Sequence, residues 1–212
     1  MGREFLDLFE DWADSYDDTV AGKDAEYKEV FEKYDAILEE VVTRSNGTVV
    51  EFGPGTGNLT VKLSEAGLNV IPFEPSPEMR LIGQQKLGDK VPFLDGDFLE
   101  FKLDGSVDTI VSTYAFHHLT DEEKGKAFGI YGNLLAQGGK IVFADTMFET
   151  EQHYHAAIDL ALDKGFLNLA EDLKREYYTT LEVLKGLLSA EGFSVNFRQM
   201  NNFVWIMEAT KQ

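Results

Sequence analysis

Glu51, Glu74 and Asp97 are the acidic residues whose placement invites chemistry. Glu51 stands at the head of a turn, Phe52-Gly53-Pro54-Gly55-Thr56-Gly57. Glycines at alternate positions let the backbone approach a ligand, because no side chain stands in the way. A carboxylate just before them would repel a pyrophosphate and suits a ligand that carries positive charge. Glu74 ends the next apolar run, about 20 positions on, where a carboxylate can accept hydrogen bonds from both hydroxyls of a ribose. Asp97 closes Asp95-Gly96-Asp97-Phe98 after a third run. Farther along, His117 and His118 form the only adjacent pair of side chains that ordinarily titrate near neutrality. One of them is a candidate general base, and shaping of a pocket is the equal alternative.

Such residues need a scaffold. Short β-rich runs occur at 48–52, 69–73, 91–94, 107–113 and 140–146, with helical patterns between most of them. That alternation predicts a parallel sheet with helices on both faces. Ser76-Pro77, Thr120-Asp-Glu-Glu123 and Thr179-Thr-Leu-Glu182 read as helix starts, and Gly138-Gly139 reads as the end of the helix that begins near Asp121. After a helix at 181–190, two β-rich runs, 193–199 and 203–209, follow with only a short join, so they must be antiparallel. Residues 1–45, with helical patterns at 5–16 and 24–44, form an N-terminal helical cap. Residues 149–178 read as a lid insertion of two helices broken near Lys164-Gly165.

The chain has 212 residues, which fits one domain over 1–212. It contains no cysteine, which excludes disulfides, thiolate nucleophiles and cysteine metal sites, and is compatible with a cytoplasmic location. The acidic N-terminus does not read as a targeting peptide, and no apolar run is long enough to span a membrane. A net charge of −19 argues against nucleic acid and anionic lipid as partners and favours a small-molecule acceptor. The oligomeric state is not readable. His153 and His155 point to different faces of a helix, and Glu149 with His153 makes only two ligands, so no metal site is expected. Tyr177-Tyr178 would either line a pocket or pack.

The ordered set resembles the class I S-adenosylmethionine (SAM) methyltransferases. Glu51-Phe-Gly-Pro-Gly-Thr-Gly57 matches their motif E/D-x-G-x-G-x-G, and the glycines differ in spacing from the G-x-G-x-x-G of dinucleotide folds. The resemblance implies a three-layer Rossmann-like α/β sandwich. Its seven-stranded, mostly parallel sheet would end in a C-terminal antiparallel hairpin and carry helical caps. It implies SAM as cofactor, with an ammonium and a sulfonium near Glu51. The loop Gly53, Pro54, Gly55, Thr56 and Gly57 would approach it. Glu74 and Pro75 would meet the ribose, and Met79 would lie against the adenine. Asp97 would pair with the adenine amino group, with the Phe98 N–H facing the ring. The fourth-strand edge, Ser112 to Tyr114, would offer carbonyls to the methionine ammonium. Phe9-Glu-Asp-Trp12-Ala13-Asp-Ser-Tyr16-Asp17 partly matches the family's F-D-x-x-A-x-x-Y-D lead-in, which puts Tyr16 near the methionine end. Tyr16 and His117 are thus the catalytic candidates. Among these families the chain resembles the bacterial YrrT-type methyltransferases. An NAD-dependent oxidoreductase on a similar sheet, or a SAM-binding protein without catalysis, remain alternatives.

Overall fold

The computed structural model describes residues 16–212, and of Tyr16 the backbone alone. The string before Asp17, with Trp12 and the side chain of Tyr16, lies outside the described residues. Among these, six strands form one sheet: β1 (Thr48–Phe52), β2 (Asn69–Phe73), β3 (Val107–Thr113), β4 (Leu135–Thr146), β5 (Phe193–Gln199) and β6 (Val204–Lys211). Their spatial order is β2-β1-β3-β4-β6-β5. The first four are parallel, and β6 runs antiparallel to both β4 and β5.

The strands are apolar on both faces because both faces are covered. Val49, Val111 and Val142 feed one core; Val50, Ile110 and Ile141 feed the other. Eight helices are described: α1 (Tyr16–Val20), α2 (Tyr34–Arg44), α3 (Asn58–Glu65), α4 (Pro77–Leu87), α5 (Asp121–Leu134), α6 (Glu151–Asp163), α7 (Leu167–Arg175) and α8 (Leu181–Ala190). Helices α2 and α3 contribute Ile37, Leu38, Leu59 and Leu63 to the first core. Helices α5 and α8 contribute Phe128, Tyr131, Leu184 and Leu188 to the second. Ser76 caps α4 with Pro77 in its first turn, and Thr120 and Glu123 cap α5 reciprocally.

Several boundaries differ from the sequence reading. The run at 91–94 is no strand, so the sheet has six strands and not seven. Only Leu94 pairs with β2: its N–H donates to the Pro72 carbonyl, and its carbonyl accepts from Glu74 N–H. Pro72 and Pro92 supply no N–H, and Phe93 N–H donates to Gln84 Oε1, so the ladder does not grow. Helix α5 ends at Leu134, and Gly138-Gly139 falls inside β4, where the register against β3 shifts. Thr180, not Thr179, caps α8. Residues 24–33 are turns, and the helix of the cap begins at Tyr34.

The cap and the lid are joined. Glu26 Oε2 accepts from the N–H groups of Asn168 and Leu169 at the start of α7. The Tyr27 hydroxyl donates to Asp172, and Lys164 pairs with Glu29 at 2.6 Å. Asn201, in the β5–β6 turn, donates to the carbonyls of Val30 and Glu32. No helix among the described residues is long and apolar enough to cross a membrane.

Candidate functional site

The strand order reverses between β1 and β3, and in such sheets a crevice opens at the carboxyl edge of that junction. Glu51 is the penultimate residue of β1. Alternation turns it to the same face as Val49, towards α3. Glu51 is 1% exposed, and neither carboxylate oxygen has a hydrogen-bond partner among the described residues. Burial raises its pKa to about 8, with Glu74 adding to the rise and the Thr60 hydroxyl opposing it. Ionised, such a group costs several kcal/mol unless a positive group meets it, and without one it keeps its proton. A ligand carrying an ammonium and a sulfonium fits this position.

The glycine loop follows directly. Gly53, Gly55 and Gly57 have φ of +63°, +56° and +86°, the left-handed region that glycine favours. Their surroundings differ. A Cβ on Gly53 would come within 2.8 Å of Ala115 Cβ, and one on Gly57 within 3.0 Å of the Phe93 ring, so these two serve packing. Among the described residues, a Cβ on Gly55 would meet nothing within 4 Å. Gly55 is thus the position at which the loop faces open space. Buried Pro54 accepts from Gly57 N–H, and buried Thr56 donates to Asp17 Oδ1 at 2.8 Å.

Glu74, at the end of β2, is 4% exposed. Its Oε2 accepts from Gly55 N–H at 2.9 Å and its Oε1 from Ser76 N–H at 2.8 Å. Burial raises its pKa to about 7, against these two bonds and the nearby Arg80. Each oxygen retains a second lone pair for a hydroxyl donor. Pro75 and Glu74 offer their carbonyls to Arg80, which also reaches Asp95. Met79 is buried in the first turn of α4 and joins neither apolar core. Asp97 is buried, and its Oδ1 accepts from the N–H groups of Leu99 and Glu100. The Phe98 side chain belongs to the core, against Phe52, Phe116 and Phe143.

At the end of β3, the Ser112 and Tyr114 hydroxyls are buried and unpartnered among the described residues. Tyr114 has φ of +54°, unusual for a bulky residue, and its ring contacts Phe31 and Tyr34 of the cap. A 3-10 turn, Phe116–His118, follows. His117 Nδ1 lies 2.6 Å from Asp145 Oδ1, and its N–H donates to Asp145 Oδ2. His117 Nε2 is 3.4 Å from Glu176 Oε2. Burial opposes a charge on His117, but the Asp145 and Glu176 carboxylates prevail and raise its pKa. His118 is held well below the usual histidine value by burial and by His117. Tyr178 stacks on His117 and donates to Glu176, while Tyr177 is partly exposed.

Sequence reasoning missed four participants. Asp17, beside the Tyr16 it singled out, binds Thr56, Asn58 and Lys86. Lys86, Asp145 and Glu176 carry no local motif; only an acid near the end of β4 was open to notice. His153, exposed on α6, lies 3.5 Å from the exposed Glu149 just before that helix.

A family profile described as a methyltransferase domain matches residues 49–139. A methyltransferase of Geobacillus sp. (strain WCH70) is 59% identical over the whole of both chains. The YrrT methyltransferase of Bacillus subtilis (strain 168) is 56% identical, also over the whole of both. Among solved structures, a DhpI–SAH complex superposes with a TM-score of 0.70 at 19% identity, covering 97% of this chain and 94% of that one. The SAM-bound magnesium protoporphyrin IX methyltransferase of Synechocystis PCC 6803 gives 0.64 at 19% identity, covering 88% and 84%. These likenesses show the Rossmann-like fold, and full-length identity to the curated relatives shows the lineage: the chain belongs to the YrrT family of methyltransferases.

Proposed function

We propose that this methyltransferase binds SAM across the carboxyl edge at the β1–β3 junction and passes the methyl group to a small-molecule acceptor. When bound, SAM supplies a methyl group already activated on a sulfonium. The chain's own task is to position both partners and to exclude water. Glu51 meets the positive charge of the donor. Gly53, Pro54, Gly55, Thr56 and Gly57 bring the backbone close to it. Glu74 and Pro75 hold the ribose, Met79 and the Phe98 N–H flank the adenine, and Asp97 takes its amino group. Ser112 and Tyr114 present their carbonyls at the methionine end. Tyr16 belongs to the same end, since its neighbour Asp17 is bonded to Thr56 of the loop.

The observation that carries this reading is Glu51, buried with both oxygens unpartnered among the described residues, directly before a loop whose Gly55 meets none of those residues on its open side. An NAD reading would set that carboxylate against the pyrophosphate that a glycine loop receives. His117 is flanked by Asp145 and Glu176 and covered by Tyr178, which favours pocket shaping over proton transfer to an acceptor. The net charge of −19 supports a small acceptor over a polynucleotide. The cysteine-free composition is in keeping with work in the cytoplasm.

The test is turnover with methyl-labelled SAM and separated small-metabolite, nucleic-acid and protein fractions. Label should enter the small-metabolite fraction, with S-adenosylhomocysteine formed in equal amount. Label entering nucleic acid or protein alone would overturn the acceptor class, and binding of SAM without any turnover would overturn catalysis.

A further inference from the structure

We propose that His117, His118 and Glu176 form a site for one divalent transition-metal ion of the zinc type. One ligand atom from each lies within 4.8 Å of the other two. His117 Nε2 is 3.4 Å from Glu176 Oε2, and His118 Nδ1 is 4.0 Å from Glu176 Oε1. Ligands held at about 2.0–2.2 Å around a tetrahedral zinc stand about 3.3–3.6 Å apart. With one ligand atom from each, the three groups need close by no more than about 1.5 Å to meet one ion.

The surroundings are those of a built site. Asp145 accepts at His117 Nδ1, which leaves Nε2, facing Glu176, as the ring atom that becomes a ligand once an ion displaces its proton. Asp145 is itself fixed by the N–H groups of His117 and Thr146. Tyr178 stacks on His117 at 5.0 Å between centroids and donates to Glu176 Oε2 at 2.5 Å. The three ligand side chains are each only about one tenth exposed. Among nearby cations, Lys124 is committed to the carbonyls of Leu119 and Tyr177, and Arg175 to Asp172.

Two imidazoles and one carboxylate suit zinc and its first-row neighbours, whereas magnesium and calcium prefer oxygen alone. The ligands come from two parts of the chain, the turn after β3 and the end of the lid. An ion here would pin the lid to the sheet edge and keep one position open to an exogenous donor. The sequence could not show this, because Glu176 lies far along the chain from the histidines. The site does not depend on which cofactor binds at β1.

The test is calorimetric titration of EDTA-dialysed protein with Zn²⁺, and with Co²⁺ followed by its visible d–d absorption. One equivalent should bind. Affinity should fall at least about tenfold in Glu176→Gln and His118→Ala, and about 10–100-fold in Asp145→Asn. His153→Ala, on the exposed Glu149 pair, should leave it unchanged. Glu176→Gln keeps the side chain's size and its bond to Tyr178, so it carries the test if His118→Ala does not fold. Melting curves on the same samples establish folding. Absence of stoichiometric binding, or equal binding in folded Glu176→Gln, would overturn the proposal. So would loss of binding in His153→Ala.

Discussion

The N–H of Gly55 donates to Glu74 Oε2 at 2.9 Å. The loop proposed to face the donor and the carboxylate proposed to hold its ribose are therefore one unit. Because Ser76 N–H holds the other oxygen, Glu74 also anchors the start of α4.

Glu74→Ala should act on affinity and on stability together. Charge-assisted bonds to a ribose are worth about 1–3 kcal/mol, or roughly tenfold to hundredfold in dissociation constant. Leaving the buried Ser76 N–H and the part-buried Gly55 N–H unpaired costs a further amount, up to that order, in folding. Calorimetry with S-adenosylhomocysteine and a melt on the same sample separate the two. Unchanged affinity in the folded variant would contradict the ribose role.

Gly55→Val tests the open side of the loop. Its Cβ meets nothing of the described residues within 4 Å, so the folding cost from these is the strain of φ +56°, about 1–2 kcal/mol. Ligand affinity should fall by orders of magnitude, because the branched side chain takes the ligand's place. Gly53→Ala should behave oppositely and fail chiefly in folding, since its Cβ would sit 2.8 Å from Ala115. A folded Gly55→Val protein with intact affinity would show the loop to be only a turn.

The pH dependence follows from burial at the edge. Glu51 is raised to about 8 and Glu74 to about 7, against an ordinary 4.5. Between those values the folded, ligand-free chain keeps protons that the unfolded chain has lost. Its stability should therefore fall as pH rises from about 5 to about 8. A cation beside Glu51 favours the ionised form, so SAM binding should release protons and tighten with rising pH, by up to about tenfold per unit from each carboxyl it ionises. Calorimetry in buffers of different ionisation enthalpy counts the protons. Affinity that declines as pH rises from 6.5 to 8 would contradict the sign.

Asp17 is the latch between α1 and the loop. It accepts from Thr56 Oγ1 and Asn58 Nδ2, and pairs with Lys86 at 2.7 Å. Asp17→Ala should loosen the N-terminal cap, seen as faster hydrogen exchange in α1 and about a tenfold weaker grip on SAM, near 1.4 kcal/mol. Exchange and affinity like those of the wild type would show that the cap does not act through this residue.

Local pattern made much of the fold legible. β1, β2, β3 and β5 were readable to the residue, because each is an uninterrupted β-rich run. The third run misled for a reason visible only in pairing: Pro72 and Pro92 sit where a ladder needs N–H groups. Gly138-Gly139 looked like a helix stop, whereas α5 had already ended and the pair takes up a shift within β4. Glu51 and Glu74 could be placed at strand ends, because motif and strand end coincide there. The bond from Glu74 to Gly55, the grip of Asp17 on Thr56, and the convergence of His117, Asp145 and Glu176 are long-range contacts. Nothing in local periodicity encodes them.

The most direct measurement is calorimetric titration of the wild type and Glu51→Gln with SAM, S-adenosylhomocysteine and NAD at pH 8. Glu51→Gln keeps the shape of the side chain and removes its charge. The wild type should bind SAM and S-adenosylhomocysteine and ignore NAD, and Glu51→Gln should bind SAM at least about tenfold more weakly. Binding of NAD alone by the wild type, or SAM binding by Glu51→Gln as tight as or tighter than the wild type's, would contradict the account.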